Sequence, residues 1–323
     1  MTGALQGFYQ NFRSFAVAAV EAVVTGTQKA IMGFGNPSGT TVSSLSNLIS
    51  SSGVVATDTA GVGTARQYLS ATGYGTDKAI FGYGSPTSDF GAGISITNLV
   101  SNVGVVATNT TGVGTARAAL ASARYGTDKG IFGYGYASGN QSMTNLVSNT
   151  GVVATDTTGV GTARVFLAAS GYGTDKAIFV HGSIISGTAA VSMSNLVSNA
   201  GVVATDTAGV GTARNSLAAA GYGTDKAIFG YGRNIGYTSV SVSNLVSNTG
   251  VVATDTTGVG TARNSLAAAG YGTDKAIFAY GNDSGGFSPN ISNLVSNTGI
   301  IATDTINVGT SRGSLGSAGY SLS

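Results

Sequence analysis

Several residue types with chemical roles are absent or nearly absent from the sequence. It contains no cysteine and no tryptophan, one histidine (His181) and one glutamate (Glu21). Without cysteine the chain has neither disulfides nor a thiolate metal site, and a lone histidine excludes a multi-histidine metal centre. A glycosidase would have to use pairs of aspartates, and no Ser-His-Asp arrangement is indicated around His181. The sequence therefore predicts a protein that is not an enzyme and that holds no metal or cofactor.

Charge is also scarce. Charged residues are 9% of the chain and the net charge is +2, whereas about 25% is usual in soluble domains. No basic stripe is present that would dock on phosphates, so nucleic acid is not an expected partner. The first 24 residues lack the pattern of a signal peptide, and their apolar run is interrupted by Glu21 and too short to span a bilayer. Membrane insertion is therefore not expected.

Repetition is what the sequence has in abundance. "GYGTDKAIFGYG" at 73–84 returns at 221–232 and, with changes, at four other places. The arginine that closes "GVGTAR" or "NVGTSR" recurs at intervals of 47 to 51 residues. Six units of about 49 residues thus fill almost the whole chain, and a period of this length is typical of repeat architectures.

Each unit has the pattern of four short strands. After Arg214, the small apolar run "NSLAAAGY" ends at a Gly-Thr-Asp turn, and "KAIFGYG" follows it. A polar stretch then leads to "SNLVSN", and a Thr-Gly turn leads to "VVATDT". Short apolar runs between Gly, Asn, Asp and Thr predict strands, since none is long enough for an independent helix. Four strands in about 45–50 residues is the size of one β-propeller blade.

The order "GTAR…SLAAAGYGTDKAIFGYG…SNLVSNTGVVATDT" resembles the kelch-type propeller repeat over roughly residues 18–320. It departs from that repeat in ending with Gly-Tyr-Gly in place of a double glycine and in lacking the outer-strand tryptophan. The regulator-of-chromosome-condensation type of repeat is a nearer rival than the WD type. The near-identical "GTDKAIFGYG" copies also resemble those of predicted virion proteins of tailed bacteriophages. The resemblance implies an all-β, six-bladed propeller with four-stranded antiparallel blades.

The two ends of the chain decide how such a ring would close. Residues 312–320 repeat the first, innermost strand of the unit once more, and residues 18–24 precede the first "TGTQK" at the same distance. We expect the C-terminal strand to complete the first blade; the opposite arrangement, with residues 18–24 inside, stays open. Residues 18–323 then form the propeller and residues 1–17 an N-terminal arm, which could join subunits in a homo-oligomer.

Most charges occupy repeated positions. Asp and Arg stand eight residues apart in "TDTTGVGTAR", and arginine can bind a carboxylate through two hydrogen bonds. Because a functional site needs broken symmetry, we expect these residues to form a structural network between neighbouring strands or blades. Its members are Arg66, Arg117, Arg164, Arg214, Arg263 and Arg312, with Asp58, Asp156, Asp206, Asp255 and Asp304; Asn109 stands in the sixth acidic position. The small inner strands and His181 are expected to be packing positions.

The stretch between "GYG" and "SNLVSN" differs among the units in sequence and length. In a propeller it joins the second and third strands, so all six copies would lie on one face, and binding residues are often on loops of a rigid scaffold. Drift of unconstrained loops is the alternative. The expected contact residues for a ligand are Asp89, Phe90, Tyr136, Asn140, Ile184, Arg233, Tyr237, Asp283 and Phe287.

Three functions from different classes remain open. The first is non-enzymatic binding of a host glycan or protein through the variable loops, on a virion or at an extracellular surface. The second is a purely structural subunit that packs with other structural proteins, as in a virion or tail decoration, and binds no ligand. A carbohydrate-active enzyme is the remote third.

Overall fold

The computed structural model describes residues 28–37, 41–185, 188–286 and 289–321, so the predicted arm (1–17) and the segment 18–24 lie outside the described residues. All regular elements within these ranges are strands, arranged in small antiparallel sheets, which confirms the all-β prediction. The described part of the chain includes no helix that could cross a membrane.

Each repeat unit contributes three regular strands to a sheet. The inner strands are β3 (Ser70–Tyr74), β6 (Ala121–Tyr125), β9 (Ala168–Tyr172), β13 (Ala218–Tyr222), β17 (Ala267–Tyr271) and β21 (Gly316–Tyr320). The middle strands are β1 (Lys29–Gly33), β4 (Lys78–Gly82), β7 (Lys129–Gly133), β10 (Lys176–Val180), β14 (Lys226–Gly230) and β18 (Lys275–Ala279). The third strands are β2 (Ser46–Ile49), β5 (Thr97–Val100), β8 (Thr144–Val147), β11 (Ser194–Val197), β16 (Ser243–Val246) and β19 (Ile291–Val295). Two-residue strands are β12 (Arg214–Asn215), β15 (Arg233–Asn234) and β20 (Thr305–Ile306).

The middle strand pairs antiparallel with both of its neighbours. In one sheet Ile228 of β14 lies opposite Ala220 of β13 on one side and opposite Leu245 of β16 on the other. The last four residues of each middle strand are buried, because both faces of the sheet are covered. The isoleucine and phenylalanine of "KAIF" therefore fill the space between sheets, where large apolar side chains gain most from burial.

Inner strands of different sheets contact one another in the cyclic order β3, β6, β9, β13, β17, β21 and back to β3. Small residues allow this close approach: a Cβ atom on Gly270 would lie 3.3 Å from the carbonyl oxygen of Gly221 on the neighbouring inner strand. The C-terminal strand β21 pairs with β1 near the start of the chain, with Ala318 opposite Ile31. One sheet thus combines strands from both ends of the sequence.

The segment "VVATDT" differs from the predicted fourth strand. It forms a regular strand in one unit only, as β20 beside β19. In the first unit it makes two isolated bridges, Val55 with Ile49 and Thr59 with Ser46, so three residues of this segment face two of β2. Such a surplus residue is a bulge, which interrupts the ladder. Asn47 compensates for this interruption of the ladder, because its Nδ2 donates a hydrogen bond to the Ala56 carbonyl at 2.9 Å.

The core lies between adjacent sheets. The ring of Tyr83, which follows one middle strand, packs edge-on against Phe132 of the next sheet, with centroids 5.2 Å apart. His181 occupies the position of Tyr83 in its own unit and is 1% exposed, as expected for a packing position. The middle-strand side chains Met32, Phe81, Phe132, Phe179, Phe229 and Phe278 are all buried.

Candidate binding surface

A closed ring of backbone hydrogen bonds lies where the chain enters the inner strands. Each of its six residues has φ between 53° and 56°, and each amide donates to the carbonyl of the ring residue one unit earlier in the chain, at 2.7–2.9 Å. The members, in order, are Tyr68, Ala119, Phe166, Ser216, Ser265 and Ser314, and Tyr68 donates to Ser314. A left-handed backbone is unfavourable for these residue types. The two hydrogen bonds at every member offset that strain.

The side chains of this backbone ring break its symmetry. Tyr68 and Phe166, on either side of Ala119, have centroids 5.7 Å apart. Phe90, from a variable loop, packs at 6.2 Å from Tyr68 and 5.5 Å from Phe166, and Tyr136 from the next loop lies 4.9 Å from Phe90. All four rings are half-buried. We call Tyr68, Phe90, Tyr136 and Phe166 the aromatic cluster.

The other half of the backbone ring carries only serines, with Arg233 nearby. Burial raises the pKa of the Tyr68 hydroxyl, while a hydrogen bond from Ser314 and the positive charge of Arg233 oppose that shift. Arg233 is half-buried and lies on β15, where it is paired opposite Asn215 of β12. Aromatic rings, hydroxyls and one guanidinium therefore share a single surface.

The predicted contact residues fall into two groups. Phe90 and Tyr136 are brought together in the aromatic cluster, and Arg233 lies close enough to act on Tyr68. The carboxylates of Asp89 and Asp283 accept amides of their own loops, from Gly91 and Gly285, both at 2.8 Å.

Asn140, Ile184 and Tyr237 add no ring to the aromatic cluster, although Asn140 is paired opposite Tyr136. Asn140 donates to the Ser183 carbonyl at 3.3 Å and so links two loops. Ile184 and Tyr237 are 40% and 54% exposed. Phe287 lies outside the described residues.

Tyr68 and Phe166 were missed by the sequence analysis, which treated the inner-strand segments as packing. The available signal was the residue before the shared leucine of each unit. It varies among "QYL", "AAL", "VFL", "NSL", "NSL" and "GSL", although the small residues that follow are nearly constant. A variable position in an otherwise repeated strand is as informative as a variable loop.

The repeated arginines are buried between consecutive sheets. Arg117 lies over the Tyr83 ring at 4.6 Å, and its Nε donates to the Tyr134 carbonyl at 2.8 Å. Its Nη2 donates to Asn145 Oδ1 at 2.6 Å, and Nη1 is 3.7 Å from Asp156 Oδ1. Tyr83 precedes Arg117 in the chain and the other three residues belong to the following sheet. One guanidinium thus joins two sheets.

Within the described residues four of the six repeated arginines are ion-paired: Arg117, Arg164 and Arg263 with the aspartate of the following unit, and Arg312 with Asp58 of the first unit. Arg164 pairs with Asp206 at 3.4 Å, not with Asp156, which stands eight residues before it. Burial raises the pKa of Asp206, but hydrogen bonds from Thr162 and Asn195 outweigh this effect and leave that pKa below its usual value. The carboxylate therefore stays charged beside the arginine and fixes the "GVGT" connector.

We call each of these contacts between consecutive units a junction. At the junction that follows Arg66, Asn109 replaces the aspartate. Its Oδ1 accepts the Thr64 amide at 3.1 Å, and its Nδ2 donates to Thr64 Oγ1 at 2.8 Å. The connector contact is kept, but the carboxylate that would face Arg66 is lost. Nη2 of Arg66 has no hydrogen-bond partner in the described part of the chain, and burial lowers the pKa of Arg66 to about 9.

In the ranges that the structure describes, no group of three His, Asp or Glu side chains could hold a metal ion. His181 is enclosed by the core, and burial lowers its pKa to about 3.

The fold and the surface define the class of the protein. It is an all-β tandem-repeat protein whose small antiparallel sheets are joined by buried arginines and carry an aromatic cluster beside the inner strands. No protein-family model matches the chain, and no curated protein matches its sequence.

Proposed function

We propose that the protein is a closed, six-bladed β-propeller that binds a ligand without catalysis through the aromatic cluster and the adjoining variable loops. Its place would be a virion or an extracellular surface, and its ligand a host glycan or, as the alternative, a host protein. The observation that carries the proposal is the aromatic cluster itself, because it concentrates the differences among otherwise similar units in one half of the backbone ring.

Two features support closure of six blades. The backbone ring returns to Tyr68 after six steps. A second cycle follows the "GTD" turns, where the amide of one unit donates to a carbonyl of the next at 2.6–2.8 Å, as in Gly75 to Asp128, and it returns through Gly272 to Gln28 and Ser321 to Asp77. The pairing of β21 with β1 favours closure by the C-terminal strand.

The chemistry of the surface favours a glycan. A sugar offers a C–H face, which packs on aromatic rings, and a rim of hydroxyl groups, which exchange hydrogen bonds with polar side chains. The backbone ring that carries the half-buried Tyr68 and Phe166 also carries Ser216, Ser265 and Ser314. Because the rings already pack against one another, little side-chain entropy would be lost on binding.

The test is binding of labelled protein to a glycan array and to intact bacterial cells. The variant Tyr68→Ser/Phe166→Ser installs the residue that three other units carry at the same ring position, so the backbone ring is expected to form. Phe90→Ala/Tyr136→Ala removes the loop half of the aromatic cluster. We expect saturable binding by the native protein and a loss of at least about tenfold in each variant, which corresponds to about 1.4 kcal/mol.

Val251→Ser serves as the matched control, since Val251 is 65% exposed on an outer segment and its replacement should leave binding unchanged. Absence of binding by native protein that melts cooperatively would overturn recognition by this surface. Equal binding by all variants would show that the ligand binds at another surface of the protein.

A structural subunit is the second candidate, and one observation favours it. Each unit exposes an aliphatic side chain at the start of its outer segment, 64–69% accessible, where another subunit could pack. These residues are Val54, Val105, Val152, Val202, Val251 and Ile300. A particle that assembles normally with the aromatic cluster removed, but not with these positions changed to serine, would support this candidate. Oligomerisation through residues 1–17 stays a prediction.

A further inference from the structure

A cavity of about 400 Å³ lies between the six inner strands, at the end where they lead into the "GTD" turns. Thr127, Thr174, Thr224 and Thr273 of those turns line it. It is therefore at the opposite end of the inner strands from the aromatic cluster. The fourth residue of each inner strand also lines it: Gly73, Arg124, Gly171, Gly221, Gly270 and Gly319.

Arg124 is the one large residue among these six positions of the cavity wall. Five units have glycine at its position, and its cross-strand partner is Gly130, where the other units have alanine. A Cβ atom on Gly130 would lie 2.6 Å from Thr72 Cγ2 of the neighbouring inner strand. Thr72 is itself a departure, because the other units have alanine or serine there. Three adjacent changes thus fit one another around a single large cation.

Arg124 makes no ion pair with any residue that the structure describes, although Asp128 is near enough to act on its charge. Its Nη1 donates to the Thr76 carbonyl at 3.4 Å and its Nη2 to the Thr127 carbonyl, both backbone groups of the turns. Its Nε is shielded from solvent and has no hydrogen-bond partner among the described residues. Burial lowers the pKa of Arg124, which is the expected cost of placing a cation in this wall, although Asp128 opposes the shift.

Among the described residues, the other charged side chains that line the cavity are two lysines. Lys176 and Lys226 line it, and each donates to the aspartate beside it in sequence at 2.8 Å. No aspartate or glutamate is among the described residues that line the cavity. Cationic groups that line one concave surface attract small anions, since their fields add within it.

We propose that this cavity binds one small oxyanion of the phosphate or sulfate type, held by Arg124 with Lys176 and Lys226 at its mouth. A guanidinium presents its N–H groups in a planar fork that matches such oxygens. The anion could be free in solution or carried on a larger molecule such as a sugar phosphate. The site is separate from the aromatic cluster and does not depend on the function proposed for it.

The experiment is titration of the full chain with inorganic phosphate, followed by calorimetry and by the ³¹P resonance, in a buffer free of other oxyanions. We expect saturable binding of one phosphate per chain. Arg124→Gly, the residue of the five other units, should fold and bind at least about tenfold more weakly. Arg124→Lys keeps the charge without the fork and should be intermediate. If Arg124→Gly does not fold, Arg124→Gln takes its place.

Lys78→Gln is the control, because it removes a cation that does not line the cavity and should bind phosphate as the native protein does. Glucose 6-phosphate distinguishes the sources of the anion: tighter binding than inorganic phosphate assigns the site to a phosphate carried on a sugar, and weaker binding to the free ion. No saturable binding of phosphate or sulfate by folded native protein overturns the proposal, as does equal binding by Arg124→Gly.

Discussion

Arg312 Nη1 lies 3.5 Å from Asp58 Oδ1, although 254 residues separate the two in sequence. Arg312 also donates to Asn47 Oδ1 at 2.6 Å, and Thr310 Oγ1 donates to Asp58 at 2.6 Å. The last unit is therefore joined to the first by the same contacts that join Arg164 to Asp206 within the chain. Stability of the whole molecule should depend on this terminal junction as much as on the internal ones.

We expect Asp58→Asn to lower the free energy of unfolding at pH 7 by about 1–3 kcal/mol, because the acceptor of the Thr310 and Asn47 hydrogen bonds loses its charge and the carboxylate facing Arg312 is removed. Asp156→Asn, at an internal junction, should cost a similar amount. Urea denaturation of both variants measures the two losses. A negligible loss at Asp58 beside a clear loss at Asp156 would contradict an equal role for the terminal junction.

The stability difference between the native protein and Asp58→Asn should also depend on pH. Burial raises the pKa of Asp58, but hydrogen bonds from Thr310 and Asn47 outweigh it, so that pKa lies below the reference value of 3.8. The folded protein then binds fewer protons than the unfolded chain in acid, and the stabilisation is present above about pH 4 and lost as the pH falls through the native pKa. The difference between native protein and Asp58→Asn should shrink correspondingly in urea titrations below pH 4.

Asn109→Asp should stabilise the protein by about 1–2 kcal/mol at pH 7, because it supplies a carboxylate to the buried Arg66. The gain should decrease above about pH 9, where Arg66 of the native protein begins to lose its proton. Thr108→Asp adds the same charge at an exposed neighbour and should give no gain. Thermal and urea unfolding measure all three proteins, and equal stability of the native protein and Asn109→Asp would be the contrary result.

His181→Tyr should also stabilise the protein, by about 1 kcal/mol at neutral pH. Tyr83, Tyr134 and Tyr231 donate their hydroxyls to valine carbonyls of the "GVG" connectors at 3.1–3.2 Å. Val210 offers the equivalent carbonyl, whereas neither ring nitrogen of His181 has a partner among the described residues. His181→Phe fills the same space without the hydroxyl and is the matched control for that hydrogen bond.

The advantage of His181→Tyr should grow on acidification. Burial lowers the pKa of His181 from 6.5 to about 3, so between these values the folded protein binds fewer protons than the unfolded chain. Stability of the native protein therefore falls as the pH drops below about 6.5, and this part of the slope should be missing in His181→Tyr. Parallel curves of unfolding free energy against pH between 4 and about 7 would contradict the assignment.

Deletion of residues 313–323 should abolish cooperative unfolding, because it leaves the edge of Lys29–Gly33 unpaired and removes one member of the backbone ring. Deletion of residues 322–323 should leave the melting curve unchanged. Calorimetry and binding of an apolar dye measure both. A stable, cooperative protein after the longer deletion would favour the alternative in which residues 18–24 take the inner position.

Much of the fold could be predicted from the sequence because the same local signals occur six times. Short apolar runs bounded by Gly, Asn, Asp and Thr predicted the inner, middle and third strands of every unit, and the regular ladders confirm them. The outer segment was predicted less well. Its composition favours a strand, but the bulge between its two bridges depends on the Asn47 side chain and on register, neither of which a propensity pattern encodes.

The candidate surface was predicted in part. Loop variation led to Phe90, Tyr136 and Arg233, whereas Tyr68 and Phe166 were hidden inside a repeated strand segment. Arg124 is a charge outside the repeated positions of the sequence, but its place in a cavity wall follows only from the packing of the inner strands.

The sequence by itself determined the period, the strand-forming segments and the scarcity of catalytic groups, because these depend on residue type and local spacing. The tertiary structure decided which arginine pairs with which aspartate. It also decided that Phe90 packs against both Tyr68 and Phe166, and that Arg124 lines a cavity with two lysines. Those relationships join residues of different units, and contact across units is set by how the sheets pack and not by any local pattern.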